Sequence, residues 1–200
     1  MKELEEIIAQ KGQVLPGDIL KVDCFLNHQI DVEVMDMIGK EFARLFADIK
    51  PTKILTIETS GVAIAQATSL NMDKQLVVYA KKGFHLNMDD SSYNTTERSY
   101  TQNRDYVVRI SKDYLCSDDK VLIVDDFLAR GEATNSLLEL CRQANAEVLG
   151  VGIVVAKMYQ QGYERIKKQC PNIQILAKVK HLSEDGSIEF EWYNSYSELQ

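Results

Sequence analysis

The spacing of apolar residues changes several times along the chain, and each change predicts an element. Leu4, Ile7 and Ile8 share one face of a short helix over residues 2–11. A loop with Pro16 and Gly17 follows, and "DILKVDCFLNHQI" then alternates too irregularly to assign. From Asp31, a suitable helix-starting residue, the pattern turns helical. Val34, Ile38, Leu45 and Ile49 form a stripe, with Met35, Phe42 and Phe46 beside it, until Pro51 and Thr52 break the helix.

Beyond that break, short runs rich in β-branched residues alternate with helical segments. "KILTIE" reads as a buried strand and runs into "TSGVAIAQATSL", a turn and a helix of small residues. "QLVVYAKK" and "DYVVRIS" are further strands, separated by the polar segment 83–104, which is either a mobile loop or a β-hairpin excursion. A strand over 121–125 precedes a helix over 132–144, and "EVLGVGIVVA" is another buried strand. "YERIKKQC" is a short helix stopped by Pro171, and "IQILAKVKHL" and "SIEFEWY" flank an Asp185–Gly186 turn as a terminal hairpin. Strands alternating with helices predict an α/β fold with a single doubly wound, mostly parallel sheet flanked by helices. With no internal repeat or linker, residues 1–200 are expected to form one domain.

Composition narrows the function. Apolar residues make up 45% and charged residues 26%, the balance of a globular protein with a full core. No apolar run reaches the roughly 20 residues of a membrane helix, and the acidic amphipathic start is not a secretion signal, so a cytoplasmic location is expected. A net charge of −7 argues against general affinity for nucleic acid, while leaving room for a local cationic pocket. Cys24, Cys116, Cys141 and Cys170 are scattered and form no CxxC pair, which suits reduced thiols acting as small apolar residues.

The chemistry concentrates in "KVLIVDDFLARGEATNSLLEL", Lys120 to Leu140. A buried run stops at Asp125 and Asp126, a loop with one glycine follows, and a helix begins. Ligands of doubly wound sheets sit beyond the carboxyl ends of the strands, and amides at a helix start suit a phosphate dianion. Adjacent carboxylates suit the hydroxyls of an attached sugar, so the pattern fits a phosphorylated ribose. A strand end with two solvated aspartates is the alternative reading.

"VLIVDDFLARGEAT" resembles the 5-phosphoribosyl 1-diphosphate signature of the type I phosphoribosyltransferases, and "IETSG", Glu58 to Gly61, resembles their pyrophosphate loop. "LKVDCFLNHQID" and "VVAKMYQQG" look like the xanthine-using branch of that family. The resemblance implies transfer of phosphoribosyl to xanthine, giving xanthosine 5′-monophosphate and diphosphate. It also implies a small base-binding hood from the N- and C-terminal segments, a flexible lid over 83–104 and a homodimer. Two positions depart from the commonest signature, Arg130 and Ala133 standing where many members carry threonine. Arg130 either adds a cation to the loop or points into solvent.

Residue roles follow from the same resemblance. Ala129, Arg130, Gly131, Glu132, Ala133 and Thr134 would hold the 5′-phosphate, and Asp125 and Asp126, the catalytic pair, would meet the ribose hydroxyls. Thr59, Ser60 and Gly61 would line the diphosphate. Lys81, with Lys82, would neutralise the leaving group or simply be solvated. Mg²⁺ would arrive with the diphosphate rather than in a protein cage. Leu20 (through its backbone), Asn27 and Lys157 would read xanthine, with Phe127 packing on the ring or filling core. A lysine suits an exocyclic oxygen and would be left unpaired by adenine's amino group. Relatives that use hypoxanthine and guanine often carry an acid where this chain has Ala129. Xanthine loses a proton near neutral pH by itself, so no strong base is expected there, and Lys157 would stabilise the anion. The rivals are an adenine or hypoxanthine–guanine enzyme of the same fold and a non-catalytic regulator that binds nucleic acid.

Overall fold

The computed structural model describes residues 1–83, 91–99, 104–183 and 185–191. In chain order the elements are α1 (Lys2–Lys11), β1 (Gln13–Leu15), β2 (Ile19–Lys21), a π-helical turn (Asp23–Asn27), α2 (Val32–Leu45), β3 (Lys53–Ile57), α3 (Gly61–Asn71) and β4 (Leu76–Gly83). They continue with β5 (Ser92–Ser99), β6 (Arg104–Ser111), β7 (Lys120–Leu128), α4 (Glu132–Gln143), β8 (Glu147–Lys157), α5 (Gly162–Lys167), β9 (Ile173–Leu182) and β10 (Ile188–Phe190).

One sheet organises the described residues, in the order β10-β9-β8-β7-β3-β4-β6-β5. Its centre is parallel: β3 pairs with β4 and β7, β7 with β8, and β8 with β9. The edges are antiparallel, β10 on β9 at one side and β6 with β5 at the other. The expected doubly wound, mostly parallel sheet is therefore present. Both faces are covered, so the central strands read as continuous apolar runs whose successive residues enter opposite cores. Ile54, Leu122 and Val124 face α1, α2 and α3, whereas Leu55, Val121 and Ile123 face α4 and α5.

Asp31 caps α2, its carboxylate accepting from the amides of Glu33 and Val34 at 3.2 and 3.4 Å. The stripe of α2 differs from the expected one. Phe42 and Phe46 are fully buried, while Leu45 and Ile49 only flank the core. The reason lies in β8: side chains at Gly150 and Gly152 would come within 2.7 and 2.9 Å of the Phe46 and Phe42 rings. Their bare backbone makes room for both aromatics. The helix also ends at Leu45, well before Pro51, as Ala47 N–H tightens onto the Arg44 carbonyl.

Three further readings change. The unassigned N-terminal stretch folds as the antiparallel β1–β2 hairpin and the π-helical turn. Segment 83–104 contributes an antiparallel arm, β5 on β6, and the lid expected there falls partly on residues 84–90 and 100–103, outside the described residues. The strand expected over 121–125 runs on to Leu128, because its ladder with β8 continues through Asp125↔Ile153, Phe127↔Val155 and Leu128↔Ala156. Asp125 and Asp126 thus lie within β7 rather than past its end. Trp192, expected on the terminal hairpin, lies outside the described residues.

Candidate active site

The chain leaves β3 through α3 toward β4 on one side, while β7 pairs on the other side of β3. This reversal marks a switch point, the place where a doubly wound sheet opens a crevice for ligand. Two loops meet there, Glu58–Ser60 after β3 and Ala129–Gly131 after β7.

Successive residues of a strand point to opposite faces. Asp125 is accordingly buried, 3% exposed, and Asp126 is half-buried. Burial, and then the negative charge of Asp126, push the Asp125 carboxyl well above the usual carboxylate range. The amide of Asp126, donating to Asp125 Oδ1 at 3.0 Å, and the charge of Lys82 act the other way. Asp126 in turn accepts from the Phe127 amide at 2.9 Å and from Asn27 Nδ2 at 3.2 Å.

The loop after β3 closes over Asp125. A Cβ on Gly61 would stand 1.9 Å from Thr56 Oγ1 and 3.2 Å from Asp125 Oδ1, so only glycine fits. The Thr56 hydroxyl is buried with no hydrogen-bond partner. Glu58 ties the loop to β4, its amide donating to the Ala80 carbonyl and its carboxylate accepting from the Lys82 amide at 2.8 Å. Thr59 is exposed and Ser60 half-buried at the start of α3. Lys81 and Lys82 both lie exposed at the end of β4.

The loop after β7 is shaped by backbone. Gly131 adopts φ 83°, a left-handed value that glycine takes without strain, and begins α4 with no side-chain cap. The first amides of α4 are thus open to an outside acceptor, with the positive end of the helix dipole behind them. The Thr134 hydroxyl is buried at the same place, without a partner among the described residues. An unpaired buried hydroxyl costs about 1–3 kcal/mol, which an anion's oxygen would recover. Gly162 braces the loop: its amide donates to the Ala129 carbonyl at 3.1 Å, and a Cβ there would lie 2.4 Å from that oxygen. Arg130 and Glu132 line a cavity of about 970 Å³ together with Asp18, Tyr159 and Gln160.

The base-side candidates come from the hairpin and the end of β8. Leu20 is buried on β2, and Asn27, at the end of the π-helical turn, reaches the acid pair through Asp126. Phe127 is half-buried and packs against the core that includes Phe25 and Leu26. Lys157 closes β8, 9% exposed, and its ammonium binds the Asp18 backbone carbonyl and stands 3.6 Å from the Asp18 carboxylate. Asp18, Tyr159, Gln160 and Thr56 were missed in the sequence. Asp18 reads there as an ordinary turn residue after Pro16–Gly17, and its partners lie 139 to 142 positions away.

With this geometry in view, comparison with known proteins gives a consistent answer. Residues 24–185 match the phosphoribosyl transferase domain. The chain belongs to that family. Xanthine phosphoribosyltransferases from Pediococcus pentosaceus and Finegoldia magna are 47% and 46% identical to it, over 96% and 94% of this chain and 100% and 98% of theirs. Among solved structures, adenine phosphoribosyltransferase from Rhodothermus marinus superposes with a TM-score of 0.72 at 19% identity, covering 90% of this chain and 100% of that one. The Trypanosoma brucei adenine phosphoribosyltransferase, solved with AMP, pyrophosphate and ribose-5-phosphate, gives 0.72 at 13%, over 92% and 82%. At such identities these structures speak to the fold alone, the type I phosphoribosyltransferase fold. No helix among the described residues of this phosphoribosyltransferase is long and apolar enough to cross a membrane.

Proposed function

We propose that this phosphoribosyltransferase moves the 5-phosphoribosyl group of 5-phospho-α-D-ribose 1-diphosphate onto xanthine, releasing diphosphate and xanthosine 5′-monophosphate. The observation that carries the reading is the full-length likeness to xanthine phosphoribosyltransferases at 46–47% identity. The Asn27–Asp126 bond supports it, because it joins the base-side turn to the sugar-side acids in one site.

The residue roles follow from charge. Departure of diphosphate leaves positive charge on the ribosyl centre and negative charge on the leaving group. Asp126, half-buried, faces the sugar and stabilises the first. Asp125, whose carboxyl is pushed upward by burial and by the charge of Asp126, lies beside it and meets a ring hydroxyl. The open amides of Glu132 to Thr134 and the Thr134 hydroxyl hold the 5′-phosphate, with Ala129, Arg130, Gly131 and Ala133 shaping the cradle. Thr59, Ser60 and Gly61 receive the diphosphate, and Lys81 and Lys82 lower its charge.

Mg²⁺ keeps several waters and prefers substrate phosphates to an all-protein cage, which suits a site where Asp125 is buried and only Asp126 of the β7 acid pair is half-buried. The ion would arrive with the diphosphate and neutralise its charge, meeting the Asp125–Asp126 pair only through its waters. Leu20, Asn27 and Lys157 read the base, Lys157 favouring an oxopurine anion, and Phe127 flanks it. A lid from the segment between β4 and β6 would exclude water from the cation. One domain over residues 1–200 is consistent with two cores on the faces of one sheet. A homodimer is supported by an apolar groove of about 290 Å³ that includes exposed Ile30, Val32 and Leu70. A cytoplasmic location accords with soluble substrates of this kind.

Initial rates with xanthine, hypoxanthine, guanine and adenine at saturating donor test the reading. The expected order places xanthine first by at least tenfold in kcat/KM. Preference for adenine, or no diphosphate release with any purine, overturns it.

A further inference from the structure

The tip of the β1–β2 hairpin is tied to the end of β8 by a cluster that the transfer reaction does not itself require. Asp18 sits there at φ 63°, a left-handed conformation that Asp tolerates. Its carbonyl accepts from the Lys157 ammonium, and its carboxylate accepts from Tyr159 Oη at 2.5 Å and Gln160 Nε2 at 2.8 Å. The Lys157 ammonium stands 3.6 Å from the same carboxylate. Every polar atom of Asp18 that can accept is thus directed at the segment that leaves β8.

Two consequences follow for the base. A lysine side chain carries about 2 kcal/mol of rotamer entropy, and an ammonium has three donors. Asp18 engages the ammonium on one side, through carbonyl and carboxylate, and leaves donor capacity for a base oxygen. It also ties Lys157 to the hairpin that carries Leu20, since Leu20 lies on β2 directly after the tip, paired with Val14. The separation between the lysine and the Leu20 backbone is therefore set by Asp18 rather than by the long side chain alone. Although burial pushes its carboxyl up, hydrogen bonds from Tyr159 and the charge of Lys157 hold Asp18 below the usual range, so it stays ionised.

We propose that Asp18 is a positioning residue for purine selection: it fixes the Lys157 ammonium against the β1–β2 hairpin and so sets the preference for xanthine. The inference rests on the functional reading above and deepens it. The role assigned to Asp18 acts through Lys157 rather than on the reacting atoms, so its removal acts on recognition of the base.

Two substitutions keep the left-handed turn, because Asn and Gly both accept positive φ. Asp18→Asn keeps one side-chain acceptor oxygen without the charge, and Asp18→Gly removes the side chain. Steady-state kinetics with xanthine and hypoxanthine on the full-length chain supply the readout. In Asp18→Gly the xanthine KM should rise on the order of tenfold, with kcat and donor KM within about twofold of the parent. The xanthine-to-hypoxanthine ratio of kcat/KM should fall with it, and Asp18→Asn should lie between parent and Asp18→Gly. Unchanged xanthine KM and base ratio in both variants overturn the inference while leaving the function standing. A matched rise in donor KM overturns it as well, since that marks general distortion. If the parent does not turn over xanthine at all, the functional reading fails, and this inference with it.

Discussion

Asn27 Nδ2 donates to Asp126 Oδ2 at 3.2 Å, a bond between residues 99 positions apart that joins the N-terminal turn to the central strand. It ties that turn to one of the two acids of β7, so the proposed base side and sugar side of the crevice are joined by a direct contact.

That bond makes Asn27 a sensitive position. Asn27→Ala should lower kcat/KM for xanthine by about 10- to 100-fold, because a recognition group and the orientation of Asp126 are lost together. Asn27→Asp should be worse, since it sets a third carboxylate against the acid pair. Kinetics on both variants check the order; equal rates for Asn27→Asp and the parent would contradict it.

Asp125 trades stability for function. Its carboxyl is raised in the folded protein by burial and by Asp126, so the fold binds this proton more tightly than the unfolded chain does. The group's contribution is most favourable below its ordinary value of 3.8 and is lost as pH climbs through the raised value. Asp125→Asn should therefore raise Tm at neutral pH by roughly 2–4 °C, with the gain shrinking toward acid pH. Activity should fall at least 100-fold. Thermal melts across pH, beside rate measurements, give both signs.

Gly61 and Thr56 are coupled by contact. Gly61→Ala forces its methyl onto Thr56 Oγ1, and overpacking of this kind costs about 1–3 kcal/mol. Removing the hydroxyl with Thr56→Ala in the same chain should recover most of that loss. Denaturant unfolding of the two single variants and the double variant measures the coupling, and simple additivity would refute it.

The groove beside Ile30 should be covered in solution by a second copy of the chain. Val32 and Leu70 are 74% and 62% exposed, an unusual setting for branched apolar side chains grouped at one groove. Light scattering should give a dimer for the parent and a monomer for the Val32→Lys, Leu70→Glu double variant. A monomeric parent would sink the assembly.

Much of this architecture was legible because it rests on local pattern. "KILTI", "KVLIVDD" and "EVLGVGIVVAK" are dense in β-branched residues and became the parallel centre of the sheet. The phosphate corner combined a strand, a glycine with positive φ and a helix start, all within one short stretch. What escaped notice depended on distant partners or on contradictory local cues. Asp125 and Asp126 look like a strand end because paired carboxylates are poor strand formers, yet the β8 ladder carries β7 through them. Phe25 and Leu26 are adjacent and both buried in a π-helical turn, which neither helical nor strand spacing anticipates. Thr56 looks like any β-branched strand residue, and its place beneath Gly61 shows only in three dimensions.

The contact of Gly162 with Ala129 means that the phosphate corner is not a free-standing loop. Its shape is inherited from the short connector that leaves β8, and the same connector begins at Lys157. On the proposed roles, one stretch of main chain thus serves two ligands. On those same roles, lengthening or loosening it would slacken the grip on donor and acceptor together, so changes in base preference are better sought on the hairpin opposite.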